Sequence, residues 1–134
     1  MNSIKIFCIP YAGGSAFIYY QWRKYLNNNI LLYPVELAGR GRRINEKLYE
    51  SIDNAIEDVY HRIKNELYGC SYSFFGHSMG GLIAYELAKK CIKNGYPEPV
   101  HLFFSGRGAP QIYNADEKKY NEAKDKGYTF ISYI

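Results

Sequence analysis

A chain of 134 residues, 47% hydrophobic and 22% charged, is long enough for one domain with a real core but short for a doubly wound sheet of eight strands. Its net charge of +4, from 17 basic and 13 acidic residues, is dispersed and not drawn into a basic stripe interleaved with aromatics, which excludes a nucleic-acid surface from the expectations. No stretch approaches the roughly 20 apolar residues that cross a bilayer, the amino terminus lacks the basic-then-apolar order of a secretion signal, and Cys8, Cys70 and Cys91 are too widely spaced for a disulfide framework or a metal site.

A soluble, cytoplasmic protein with buried free thiols, no metal and no cofactor is therefore expected. In chain order, Ile4-Lys5-Ile6-Phe7-Cys8-Ile9 reads as a strand covered on both faces and ended by Pro10. Tyr11-Ala12-Gly13-Gly14-Ser15 follows as a turn whose glycines, Gly13 and Gly14, either serve a plain strand-to-helix connection or let backbone come close to something at the carboxyl end of the sheet. Ser15 is placed to cap a helix through Phe17 to Leu26, which Asn27-Asn28-Asn29 breaks. Ile30 to Val35 is a second strand, and Pro34 near its end argues for an edge or a terminus. Glu36-Leu37-Ala38-Gly39-Arg40-Gly41-Arg42-Arg43 is a basic glycine loop, either solvated or, through Arg40, Arg42 and Arg43, a contact for phosphate.

Ser51 opens the cleanest helix, with Ile52, Ala55, Ile56, Val59, Ile63 and Leu67 at helical spacing on one face and Asp53 and Arg62 placed to suit the helix dipole. His61 lies beside that stripe and reads as a surface or boundary residue. Ser71 to Phe75 is then a short aromatic strand that runs into Gly76-His77-Ser78-Met79-Gly80-Gly81 and a helix through Leu82, Ile83, Leu87 and Ala88, with Gly95 as a left-handed cap. A strand, a sharp Gly-x-Ser-x-Gly turn and a helix lift a serine hydroxyl above the end of a sheet, which makes Ser78 a candidate nucleophile. Gly76 and Gly80 stand where side chains would collide with neighbouring backbone, and the Met79 N–H opens the helix toward charge developing beside Ser78. Val100 to Ser105 is a further strand, with His101 at the end away from Ser78. Strands alternating with helices predict an α/β fold with a parallel sheet.

The composition changes after about residue 113. Residues 1–113 are expected to form the α/β unit, and 114–134 a polar helix followed by a strand-like end, Tyr128 to Ile134, for which the pattern implies no partner. The outer edge of the Val100 to Ser105 strand is expected to be exposed and to favour self-association, unless that end pairs there as a substitute strand.

Four blocks, Phe7 to Ser15, Glu36 to Arg43, Phe75 to Gly81 and Leu102 to Pro110, resemble the stand-alone editing, or type II, thioesterases of the α/β-hydrolase class that accompany nonribosomal peptide and polyketide synthases. The likeness covers roughly residues 4 to 113. It implies Ser78 as nucleophile, the backbone amides of Met79 and Ala12 as oxyanion hole, and acyl thioesters on the phosphopantetheine arm of a carrier protein as substrate. Members of that family continue further, through a helical lid, an acid and a histidine, so this chain is expected to match their amino-terminal half. Little turnover is expected from it alone, as a fragment, as one piece of a split enzyme, or as a noncatalytic carrier-binding remnant. His101 precedes Asp116 and Asp125 and sits at the wrong strand end to activate a serine.

Overall fold

Alternating side chains sort the strands onto two faces, and the layers follow from that sorting. The structure, a computed structural model, describes residues 3–106 and 129–131. Its elements are β1 (Ile4–Ile9), α1 (Phe17–Tyr20), β2 (Ile30–Pro34), α2 (Ile52–Ile63), β3 (Ser71–His77), α3 (Met79–Lys93), β4 (His101–Ser105) and β5 (Thr129–Ile131), with short 3-10 turns after α1 and α2. Phe7, Ile9, Tyr72, Phe74, Leu102 and Phe104 face α2 and α3, where they meet Ile56, Val59, Ile63, Ile83 and Leu87 in the main core. Cys8 and Phe75 face the other way, onto Tyr19 and Trp22. Every strand pair is parallel, in the order β2-β1-β3-β4-β5.

That order places a topological switch between β1 and β3. The chain leaving β1 turns toward β2, and the chain leaving β3 turns toward β4, so a crevice opens at their carboxyl ends, where open α/β sheets bind ligands. β2 is an edge, with Pro34 the last paired residue, opposite Cys8.

The helices follow their local signals with two differences. The segment expected to be one helix to Leu26 is a single α turn continued as a 3-10 helix, Gln21–Tyr25. α2 starts at Ser51, whose Oγ accepts from the Asn54 N–H at 3.1 Å. It stops at Ile63, and the following 3-10 turn still delivers Leu67 to the core, fully buried. α3 ends on Gly95 at φ 84°, with the Gly95 and Tyr96 N–H groups donating to the Ile92 and Cys91 carbonyls, a Schellman closure.

The expected polar helix lies outside the described residues. β5 pairs with the upper part of β4, Phe103 opposite Thr129 through Ser105 opposite Ile131, so the end of the chain does supply an edge strand and the sheet has five strands where the pattern implied four.

The loop after β2 is held by charge. Arg43, only 7% exposed, donates through Nη1 to the Glu36 carbonyl at 2.7 Å and through Nε and Nη2 to Glu46, and pairs with Asp58 of α2 at 2.9 Å. The Tyr49 hydroxyl donates to the same Asp58 carboxylate while accepting from the Ala38 N–H, and Arg62 pairs with both Asp58 and Glu46. Burial pushes the Asp58 carboxyl up, but the hydrogen bonds from Tyr49, Arg43 and Arg62 outweigh it and hold the group below the usual carboxylate range.

Three outcomes are expected. Arg43→Ala, which removes the buried guanidinium from Glu36, Glu46 and Asp58 and leaves Asp58 only Tyr49 and Arg62, should cost about 2–4 kcal/mol in urea denaturation. A carboxylate whose pKa is lowered by folding stabilises above its unfolded pKa and loses that contribution as pH falls through the folded one. The gap between wild type and Arg43→Ala should therefore be fully open above about pH 5 and narrow in more acid solution. Removal of residues 128–134 should uncover the outer edge of β4, speed amide exchange at Phe103 to Ser105 by roughly tenfold or more, and produce dimers in sedimentation.

Candidate active site

β3 enters a turn whose sterics exclude side chains on both flanks of Ser78. A methyl group built on Gly76 would lie 2.1 Å from the Gly80 carbonyl oxygen, and one on Gly80 would lie 2.2 Å from the Ile9 carbonyl oxygen. With those contacts open, the backbone reverses through Ser78 at φ 55°, ψ −118°, the one non-glycine residue with positive φ among those described. Such a conformation costs on the order of 1–3 kcal/mol and persists only where neighbours impose it. They do so here: the Ser78 N–H donates to the Ser105 carbonyl at 2.7 Å, and the Ser78 carbonyl accepts from the Gly81 N–H at 2.9 Å. Ser78 itself is half-buried. Ser78 therefore stands at the carboxyl end of β3, where the β1/β3 crevice opens, and the N–H of Met79, first residue of α3, belongs to the amino-terminal donors of that helix, without a partner among the described residues.

The β1 loop comes to the same place. Its residues Tyr11 to Gly14 form a tight turn closed by the Gly14 N–H on the Tyr11 carbonyl at 2.9 Å, with Gly13 at φ 79° in the left-handed position of a type II turn. The Tyr11 ring meets the His77 ring edge-on, centroids 5.6 Å apart. Ala12, at the crown, is exposed, and its N–H has no partner among the described residues.

Buried at the end of β2, Glu36 ties this loop to the next. Its carboxylate accepts from the Ala16 N–H at 3.0 Å and the Ser15 hydroxyl at 3.3 Å, while Ser15 Oγ accepts from the Phe17 N–H at 3.1 Å. The start of α1 is thus capped jointly, by Ser15 from the β1 loop and by Glu36 from the loop after β2.

The three arginines of the basic loop part company. Arg43, one of the three arginines offered as a possible phosphate contact, is held in the internal network with Glu46 and Asp58. Arg40 turns onto the β1 loop, its Nη1 donating to the Tyr11 carbonyl at 3.1 Å and the Gly14 carbonyl at 3.2 Å. Arg42 is exposed, has no hydrogen bond or ion pair with a described residue, and lines an open cleft beside Pro34 to Glu36 and Arg62.

None of the described histidines is hydrogen-bonded to Ser78. His61 is exposed on α2 beside Glu57. His101 begins β4, opposite Ser73 at the far end of the sheet. His77 points its Nδ1 at the Ser105 hydroxyl, 3.1 Å away. Burial pushes the thiols of Cys8 and Cys91 up to about 12, so neither is a thiolate at neutral pH. Among the described residues there is no cluster of metal-ligating side chains, and no helix is long and apolar enough to cross a membrane.

Glu36 and Ser105 were missed as site residues in the sequence. A lone carboxylate closing an apolar strand was the available signal for Glu36; a hydroxyl as the last residue of β4 was the signal for Ser105.

Comparison with known proteins agrees with this geometry. The thioesterase domain family matches residues 4–131. The gramicidin S biosynthesis protein GrsT of Aneurinibacillus migulanus is 40% identical over 109 residues, 81% of this chain and 42% of that protein. The medium-chain S-acyl fatty acid synthase thioesterase of Homo sapiens is 31% identical over 103 residues, 77% of this chain and 39% of that protein. Among solved structures, ClbQ from the colibactin NRPS/PKS pathway superposes with a TM-score of 0.78 at 38% identity, covering 96% of this chain and 57% of ClbQ. The type II thioesterase BorB from the borrelidin cluster superposes with a TM-score of 0.71 at 27% identity, covering 91% of this chain and 52% of BorB. The chain spans about half the length of the relatives it matches. With a parallel sheet, a glycine-flanked serine between β3 and α3, and a loop from β1 whose Tyr11 packs on His77 beside it, the chain belongs to the thioesterase family, as a type II thioesterase domain of the α/β-hydrolase superfamily.

Proposed function

We propose that Ser78 is the nucleophile of a thioesterase that removes acyl groups held as thioesters on the phosphopantetheine arm of a carrier protein. The observation that carries this reading is the left-handed backbone of Ser78 at the strand–helix junction, held by Ser105 and made possible by Gly76 and Gly80. In the proposed reaction Ser78 Oγ attacks the thioester carbonyl carbon, the carbonyl oxygen takes up negative charge, and the C–S bond breaks with the sulfur leaving as the protonated thiol. Water then attacks the acyl-serine ester and frees the carboxylic acid. The Met79 and Ala12 N–H groups are the proposed donors to the oxyanion, one from a helix start and one from a turn crown, both without backbone partners to compete for them. The match to GrsT, ClbQ and BorB supports the carrier-bound substrate class.

Serine attack needs a base, and removal of triad members leaves only the residual help of the oxyanion hole and binding, roughly 10³–10⁴ over water. With no described histidine bonded to Ser78, the 134-residue polypeptide should release acyl groups from an acyl-phosphopantetheinyl carrier slowly, near that residual level, while a small acyl adduct forms on Ser78 and is lost in Ser78→Ala. An acyl adduct undiminished in Ser78→Ala sinks the nucleophile assignment; release as fast as a complete serine thioesterase sinks the dependence on a base. Quantifying the adduct and free fatty acid by mass spectrometry in a time course separates the two.

A second reading, a noncatalytic binder of the same carrier, is favoured by exposed Arg42, which has no hydrogen bond or ion pair with a described residue and lines an open cleft. Titration of a phosphopantetheinylated carrier should then saturate, weaken several-fold in Arg42→Ala, and weaken further with added salt. Saturation indifferent to Arg42 removes the arginine from the interface, and no binding removes the reading.

A further inference from the structure

We infer that Arg40 is a positioning residue for the oxyanion hole, acting through the Tyr11–Ala12 peptide. The inference rests on the proposed role of the Ala12 N–H and adds the group that aims it. A peptide unit is planar, so fixing its carbonyl oxygen fixes the direction of the N–H at its other end. The Tyr11 carbonyl and the Ala12 N–H belong to one such unit. That carbonyl accepts two donors, the Gly14 N–H at 2.9 Å and Arg40 Nη1 at 3.1 Å, and the same Nη1 reaches the Gly14 carbonyl at 3.2 Å. The guanidinium therefore spans both ends of the turn whose crown carries Ala12.

Two further observations separate this from a casual surface contact. Arg40 forms no ion pair with a described carboxylate, although Glu46 and Asp58 hold the nearby Arg43 and Arg62. The charge is thus directed at two carbonyls and meets no described carboxylate. A charged donor on a carbonyl also polarises the peptide, making its N–H a better donor to an anion. Arg40 in turn is anchored from behind, because the Arg43 N–H donates to its carbonyl at 2.7 Å and Arg43 is locked to α2 through Asp58. The basic loop is in this view a strut, passing the rigidity of α2 to the turn above Ser78.

The test uses the whole 134-residue chain, labelled with ¹⁵N, as wild type, Arg40→Gln and Arg40→Lys. An alkyl fluorophosphonate, whose P–F bond breaks as Ser78 Oγ bonds to phosphorus and fluoride leaves, reports on stabilisation of the developing oxyanion. In Arg40→Gln the maximal labelling rate should fall roughly tenfold while the probe's half-saturation concentration stays within about twofold, and Arg40→Lys should recover part of the rate. In the free protein the Ala12 amide proton resonance should move upfield in Arg40→Gln, with the Leu87 and Val59 amides of the core unmoved. An Ala12 resonance that stays in place, in a variant whose core amides match wild type, overturns the inference. Wild type that is never labelled at Ser78 overturns the nucleophile reading instead, and the amide shift still decides the role of Arg40.

Discussion

The start of α3 lies against the end of β1 with no room for a methyl group between them. Gly80 faces the Ile9 and Pro10 carbonyls at distances that any side chain would violate, and Gly76 faces Gly80 in the same way. Everything at the carboxyl end of the sheet depends on that approach. It sets α3 close enough for its first N–H groups to border the β1/β3 crevice, it forces the reversal at Ser78, and it brings the β1 loop within reach of His77. A longer side chain at either glycine would lift the helix from the sheet and relax the turn together, because strain of this kind survives only under imposed contacts.

From this contact, organisation spreads outward through polar groups and not through the core. Glu36 links β2 to the start of α1, Arg40 links the basic loop to the Tyr11 turn, and Arg43 links that loop to α2. Each is a charged group spent on backbone or on an opposite charge in a sheltered place, where hydrogen bonds to ions are stronger than neutral ones. The three residues sit on one loop of eight, so the loop after β2 serves the loop after β1. The apolar layers supply bulk stability; this polar tier supplies alignment.

Such a division explains what could be read from the sequence. The turn at Ser78 was legible because its requirement is local: glycines two residues to either side of a serine, a strand before and a helix after. The α2 face and the Gly95 cap were legible for the same reason, and so was His101 at the remote end of β4, since parallel strands fix which end is which. The arginines were not. Arg40, Arg42 and Arg43 look alike in a basic loop, and what separates them is which carbonyl or carboxylate the fold brings within 3 Å or so, a matter settled by α2 and β1, far away in the chain. β5 was half legible: its strand character shows in Tyr128 to Ile134, but a three-residue pairing has its partner chosen by what the sheet leaves open.

The strand order also bears on how the molecule is made. β1 is made before the other described strands, yet it lies inside the sheet, with Ile4 set beside Ile30 on one side and beside Ser71 on the other. Leaving the ribosome, it can pair early on one flank only; its second flank waits until α2 and the whole of β3 have emerged. During that interval the apolar row of Phe7 and Ile9 lacks α3, the helix that follows β3. Non-local parallel pairing of this kind folds slowly and keeps sticky intermediates in being, so the sheet closes around its own beginning only when β3 arrives.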